Sequence, residues 1–450
     1  MKKLNYISIS ALALTMCLTA CNKALDLKPT SSIDQTQAIL TSNDVQSTLI
    51  GTYNRMALSD LYGGGVFIYE DLLGMQTVVN FSGTFQGLSQ MVAQAMANDN
   101  GFAENTWLGA YQVINQANNV IANLSKADAD KVDRIEGEAK FIRGMMYFDL
   151  ARIYGKAWND GSPATNLAVP IVLTPTTVVS PASLVKRNTV GEVYAQAIAD
   201  LKVAETKLPE DNDFYANTYS ASAILARLYL QQGDYTHALE EANKVIEGGG
   251  FSLVADYASE FGGSAAHVSN TSEDIFAVQV TEQQGTNAFN TYYASSGFGG
   301  RGDIRIRSSF LATFEATDVR GKFYTIGSVI RTKKFNNQYG NIHVVRLAEM
   351  YLIRAEANLR LGSAVGDTPA NDVNIIRNRA GLGDLAVVTV ADVLTERRHE
   401  LAFEGGFFLH DAKRLGADVG ALPYNSPRLV FPVPLREINA NSNLAQNEGY

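Results

Sequence analysis

The 450-residue chain contains two cysteines, two tryptophans, five histidines and 11 prolines, and charged side chains make up only 18% of it. Both cysteines, Cys17 and Cys21, lie at the N-terminus. Cleavage ahead of Cys21 would leave a single thiol, which excludes disulfides, CxxC redox pairs, zinc–cysteine sites and a cysteine nucleophile in the folded body. No run of five like charges occurs, so there is no basic or acidic tail. Acidic residues outnumber basic ones, 46 to 37, against a nucleic-acid binder, which needs a basic stripe to displace phosphate counterions. Proline, and glycine at 37, are too few for a fibrous or low-complexity chain. No apolar run reaches the ~20 residues of a permanent membrane span. What is plentiful is core material: 46% hydrophobic and 9% aromatic residues, enough to exclude wholesale disorder.

The first twenty residues read as a leader. Lys2 and Lys3 form a short positive region, Ile7 to Leu18 a mostly apolar one, and such a pattern is a signal peptide. Leu18-Thr19-Ala20-Cys21 resembles a bacterial lipobox, in which the cysteine thiol takes a diacylglycerol and replaces a membrane span. Residues 1–20 are therefore expected to be removed, Cys21 to carry the lipid, and residues 21–32, with Lys28-Pro29-Thr30-Ser31-Ser32, to be a tether for a body over 33–450.

Helical periodicity dominates that body. Val45, Leu49, Tyr53 and Met56 share one stripe behind Asn43-Asp44; Trp107 to Ile121, Ala139 to Ile153 (ending at Gly155) and Val193 to Leu208 (closed by Pro209) give three more. Ala223 to Ala238 reads as two helices around Gly233-Asp234, the glycine supplying a left-handed turn and the aspartate a cap. Small residues where helices touch, with Gly-Asp-Tyr at the turn, resemble a tetratricopeptide repeat. Weaker copies pair Tyr351–Gly362 with a helix near Ala370–Arg379, Ala139–Gly155 with Val193–Leu208, and Val45–Ala57 with Trp107–Leu124. Four pairs of about 34 residues fill roughly a third of the chain. Long insertions over 58–106, 155–189 and 248–341 separate them, with short strand-like runs such as Ile275–Val280. The fold class expected is mostly α: one large domain with four tetratricopeptide-like helix pairs as a scaffold, plus irregular insertions. Long insertions of this kind are usually functional.

Catalytic patterns fail on spacing. His399-Glu400 nearly opens a zinc-peptidase motif, but Phe403 stands where the second histidine must be. Glu396, Glu400 and Glu404 recur every four residues on one helical face, so they cannot flank a glycosidic bond; pairing with Arg377, Arg379, Arg397 and Arg398 is the structural expectation. Gly297 to Gly302 satisfies G-x-G-x-x-G, but Asp303–Arg307 behind it alternates like a strand, where a dinucleotide loop needs a helix. No nucleophile elbow or Walker sequence occurs. No enzyme activity, cofactor or metal is expected.

Two insertions instead carry the mixture that binds sugars, flat rings for C–H faces and side chains that satisfy hydroxyls. One holds Tyr69, Asp71, Asn80, Phe81 and Phe85; the other holds Asn287, Tyr292, Tyr293, Phe298, Arg301 and Asp303.

Four stretches resemble the SusD/RagB family of outer-membrane nutrient-binding lipoproteins: Cys21 through Leu25-Asp26-Leu27-Lys28-Pro29; Glu138 to Gly155; Glu396 to Gly405 with Asp411 to Gly416; and Phe431-Pro-Val-Pro434 with Gln446 to Tyr450. The resemblance implies a monomeric helical body of four tetratricopeptide-like units with a loop-built ligand face. It further implies a lipid-anchored protein on the outer membrane, facing the exterior, that captures oligosaccharides for a SusC-like TonB-dependent transporter without altering them. A peptide- or protein-binding scaffold of the same family (RagB-like) stays open beside the glycan reading.

Overall fold

The computed structural model describes residues 39–178, 180–262, 267–283, 285 and 287–450. The leader, Cys21 and the tether lie outside the described residues.

Fifteen α-helices and six short strands are present among the described residues. The helices are α1 (Ser42–Met56), α2 (Gly65–Gly74), α3 (Gln86–Val92), α4 (Gly101–Ala122), α5 (Val132–Tyr154), α6 (Val190–Lys207), α7 (Thr218–Gln232) and α8 (Tyr235–Gly248). They continue with α9 (Ala288–Tyr293), α10 (Ser308–Leu311), α11 (Leu347–Leu361), α12 (Pro369–Arg379), α13 (Val390–Glu400), α14 (Phe407–Leu415) and α15 (Leu435–Ala440). The strands are β1 (Val79–Phe81), β2 (Asp274–Val278), β3 (Ile304–Ile306), β4 (Tyr324–Ile326), β5 (Ile330–Thr332) and β6 (Ile342–Arg346).

Short polar side chains start the scaffold helices by bonding backbone N–H groups that have no partner inside the helix. Thr41 opens α1 in a reciprocal box with Asp44, Asn100 opens α4, Thr189 and Glu192 open α6, and Asn217 opens α7. Gly233 takes the left-handed conformation at φ 74°, and Asp234 accepts from the His237 N–H to start α8. The four expected pairs pack as pairs: α1 on α4, α5 on α6, α7 on α8 and α11 on α12.

Buried ion forks join these helices. Arg143 of α5 grips Asp200 of α6 through two 2.7 Å bonds. Arg227 of α7 grips Glu349 of α11 at 2.9 and 2.6 Å, and Arg354 of α11 grips Asp372 of α12 at 2.9 and 2.6 Å. Two-pronged geometry fixes relative orientation, which a single point contact does not.

Two expectations are corrected. The glutamate series was expected on one helical face, but α13 stops at Glu400, Phe403 turns the backbone to φ 70°, and Glu404 lies beyond the helix. Nor is the 58–106 insertion simply loop: it holds α2, in which every residue from Gly65 to Leu73 is buried. A helix apolar on all sides but for Glu70 and Asp71 belongs in a core, and α2 packs against α9 and α14.

The small sheet runs in the order β1-β3-β5-β4, with β2 and β6 forming a separate pair. The β1–β3 pairing, Asn80 opposite Arg305 and Phe81 opposite Ile304, closes the first long insertion onto the third.

Candidate ligand-binding face

The antiparallel β1–β3 pairing runs on past the end of β1. Ser82 donates its N–H to the Asp303 carbonyl at 2.8 Å. At Gly83 a side chain would come within 2.5 Å of the Phe81 ring and 2.7 Å of the Asp303 carboxylate, so any other residue here would push both side chains aside. The turn delivers Phe85 to the surface at the start of α3, its side chain 39% exposed.

Rings and one guanidinium hold Phe85 in place. Phe102 meets it edge-on at 5.9 Å between centroids and Tyr292 at 6.2 Å, while Tyr69 backs Phe102 at 5.4 Å. Arg301 lies 4.8 Å over the Phe85 ring. Its Nε donates to Asp303 at 2.9 Å and its Nη2 to Thr84 Oγ1 at 3.4 Å. A flat, partly exposed ring beside a guanidinium, a carboxylate, a hydroxyl and the exposed Asn80 offers both a stacking surface and hydrogen-bonding groups.

Beneath this face, Asn287 accepts from the Asn290 N–H at 2.7 Å to cap α9, and its Nδ2 donates to the Gly340 carbonyl at 2.9 Å. Asn290 in turn donates to the carbonyls of Phe298 and Phe335 at 3.0 and 2.9 Å. These amides fix the short helix that carries Tyr292.

The glutamate cluster is a different construction. Arg346 donates to Glu404 at 2.7 Å, Glu273 at 2.6 Å and Glu400 at 2.8 Å. Arg379 pairs with Glu273 and Glu400, Arg377 with Glu396, Arg320 with Glu396 and Glu400, and Lys334 with Glu404. Arg377 and Arg379 are thus partners of these acids as expected, whereas Arg397 pairs with Asp411 and Arg398 stacks on Phe408. Burial alone would raise the Glu400 carboxyl, but Arg379, Arg346 and Arg320 hold it far below the usual range. Buried among cations, these carboxylates cannot approach opposite sides of a sugar bond.

Among the described residues, Glu260, Asp274 and His343 bring three ligand-type atoms within 4.8 Å of one another. His343 Nδ1 hydrogen-bonds Asp274 and lies 3.5 Å from Glu260. Burial opposes charge on the imidazole, yet Asp274 and Glu260 raise its pKa to about 9. His343 and Asp274 therefore form a buried ion pair, while burial raises the neighbouring Glu260 carboxyl to about 8, so it titrates in the same alkaline window. A raised base stabilises the fold in full below its unfolded pKa near 6.5, and that support is lost as pH climbs through about 9. His343→Gln is expected to flatten the decline in stability between pH 7 and 9, read from urea midpoints at each pH; an unchanged alkaline limb would remove His343 as its source.

Two family models match the chain: one described as starch-binding associating with outer membrane, over residues 23–230, and the SusD family, over residues 313–420. The chain belongs to the SusD/RagB family. SusD-like protein P2 of Formosa agariphila is 26% identical over 98% of this chain and 99% of its own length. The starch-binding protein SusD of Bacteroides thetaiotaomicron is 35% identical over 125 residues, 24% of this chain and 22% of that one. A solved putative sugar-binding protein from Bacteroides vulgatus superposes with TM-score 0.81 at 27% identity, covering 92% of this chain and 99% of that one.

In this SusD/RagB member the residues singled out from sequence divide into two sets. Asn80, Phe81, Phe85, Tyr292, Arg301 and Asp303 gather around the β1–β3 pairing. Four others lie behind it. Tyr293 is fully buried and donates to Asp71 at 3.1 Å, while Asp71 also accepts from the Gly406 N–H at 3.2 Å. Burial raises the Asp71 carboxyl well above its usual value. Tyr69 is 4% exposed, and Asn287 is a buried helix cap. The expectation that these four meet a ligand at the surface is corrected by their burial, and Tyr292 and Asp303 at the β1–β3 pairing are buried as well, at 9% and 8%, so that face exposes Asn80, Phe85 and Arg301, with Phe81 half-buried. Phe298 is half-buried in the turn after α9. Phe102 and Thr84 were missed: Phe102 falls at the first turn of a scaffold helix, outside both aromatic-rich segments, and Thr84 resembles any loop threonine.

Proposed function

We propose that this protein is a lipid-anchored outer-membrane protein that binds oligosaccharide on the face built on Phe85 and Arg301 and passes it to a SusC-like TonB-dependent transporter. Family membership supports carbohydrate binding at the outer membrane, as do the starch- and sugar-binding descriptions of its relatives. The observation that carries the reading is the Phe85 ring. It is part-exposed, supported edge-on by two aromatics and flanked by Arg301, Asp303 and Thr84. A ring held this way gives stacking area without ordering a flexible side chain on binding. No helix among the described residues is long and apolar enough to cross a membrane, so membrane attachment rests on Cys21.

The RagB-like reading has one feature of its own, an apolar cleft of about 230 Å³ lined by Ile50, Tyr53, Met56, Phe214, Tyr215 and Phe276. Calorimetric titration with oligosaccharides separates the two. Phe85→Ala is expected to weaken oligosaccharide binding on the order of tenfold or more, since a lost stacking ring at the centre of a site is worth roughly 1–2 kcal/mol. Saccharide affinity untouched by Phe85→Ala, together with a peptide ligand lost on Tyr215→Ala, would select the peptide-binding scaffold.

A further inference from the structure

The outer face of the small sheet carries a second feature. β1 pairs Asn80 with Arg305, and the β3–β5 register that pairs Ile306 with Ile330 sets Arg305 against Arg331. On β4, Thr325 pairs with Arg331. The row across the sheet is therefore Asn80, Arg305, Arg331, Thr325, and Ile304 and Ile306 point to the core on the other side.

Like charges directly opposite across strands destabilise a sheet, and here no acid relieves them. Among the described residues the Arg305 side chain has no hydrogen bond or ion pair, and the Arg331 side chain has only a long 3.5 Å bond from Nη2 to the Gly302 carbonyl. The Nε atoms of both are buried without an acceptor, each an uncompensated donor of the kind that folded proteins satisfy. Elsewhere among the described residues Arg143, Arg227, Arg320, Arg346, Arg354 and Arg414 carry carboxylate partners, and Arg187 and Arg307, which have none, donate to backbone carbonyls instead. The pair is not a by-product of general basicity either, because the chain carries a net charge of −9. Space is reserved for it: at Gly302, φ 65°, a side chain would come within 2.5 Å of the Arg331 Nε.

The row adjoins the aromatic face through residues 301–305. Arg301 stacks on Phe85, and Asp303 neutralises Arg301 but neither of the two strand arginines. We infer that Arg305 and Arg331 form an anion subsite beside Phe85, so that the ligand is an oligosaccharide bearing carboxylate or sulfate groups. This rests on the glycan-binding reading. Guanidinium forks suit both groups, each offering a pair of oxygens that two parallel N–H groups can meet at once, and Asn80 and Thr325 at the ends of the row remain for hydroxyls.

Two matched pairs of probes test it, by titration calorimetry on the chain from residue 22: sulfated carrageenan against neutral agarose oligosaccharides, and oligogalacturonides against neutral galactan oligosaccharides. The acidic member of at least one pair is expected to bind on the order of tenfold or more tightly. The double variant Arg305→Gln/Arg331→Gln should abolish that preference while keeping the unfolding midpoint and any neutral-sugar binding. Whichever pair shows the preference identifies sulfate or carboxylate as the group read. Equal or tighter binding of the neutral members, or a preference that survives the double variant, overturns the inference and leaves the glycan reading standing. Binding of no saccharide, neutral or acidic, overturns both.

Discussion

Arg346→Met is expected to cost ~3–5 kcal/mol of folding stability, the range found when one partner is removed from a buried ion network. Arg346 sits at the end of β6 and is 2% exposed. It touches Glu273, Glu400 and Glu404, and its Nη2 also donates to the Glu400 carbonyl at 2.8 Å. That single guanidinium ties the β2–β6 pair to the end of α13 and to the turn at Phe403. Methionine has similar length and no charge, so packing is largely kept while three buried carboxylates lose a shared cation. Arg379, Arg320 and Lys334 remain nearby, which places the effect at the lower end of the range more than at total unfolding.

Urea denaturation at pH 7 reads the result. Arg346→Lys separates charge from geometry: it keeps the cation but has one ammonium where three nitrogens now reach three acids, and should recover less than half of the loss. Adding Glu404→Gln to Arg346→Met should restore part of the stability, because one of the orphaned charges is removed. A loss under about 1 kcal/mol in Arg346→Met would mean that the cluster is hydrated and contributes as an exposed pair does. Acid attacks the same support. Glu400 and Glu404 both titrate below their usual 4.5. Their contribution is therefore present above about 4.5 and is lost as pH falls towards the folded values.

The helix pairs were legible because their signals are local. A stripe every three to four residues, a capping side chain and a left-handed glycine are all written within one or two turns, and Gly233-Asp234 is both in adjacent positions. The binding face was half legible for the opposite reason. Aromatic-rich segments locate the two insertions, but nothing local says which rings turn outwards. Phe85 and Tyr293 look alike as loop aromatics; Tyr293 is interior because Asp71, 222 positions away, waits for its hydroxyl. One cue was available: Val66 to Leu73 is apolar on every side except for Glu70 and Asp71, and such a helix is a core element. The arginine row is another long-range product. Ile-Arg-Ile-Arg reads as a strand with a polar face, but the partners that set Arg305 between Asn80 and Arg331 come from strands more than twenty residues to either side.

Cys21→Ala, carried behind a secretory leader that is cut ahead of residue 21, is expected to move the protein from the membrane fraction to the soluble fraction almost completely. The proposed anchor works by area. Each buried methylene contributes ~0.8 kcal/mol, and one saturated chain gives only marginal, reversible attachment, whereas a diacylglycerol thioether with a further acyl group anchors stably. Removing the thiol removes the diacylglycerol and its two chains directly, and the acylation of the new N-terminus, which follows attachment of the diacylglycerol, is lost with it. Radiolabelled palmitate should enter the wild-type protein and not the variant, and membrane extraction with carbonate should release only the variant. Nothing in the helical body is disturbed: α1 begins at Ser42, and the cap that starts it is Thr41 with Asp44. Saccharide affinity and the urea midpoint of the released variant should therefore match those of the wild type. A variant that stays in the membrane fraction without label would place attachment in contacts of the folded body with a membrane partner, for which the proposed transporter is the first candidate.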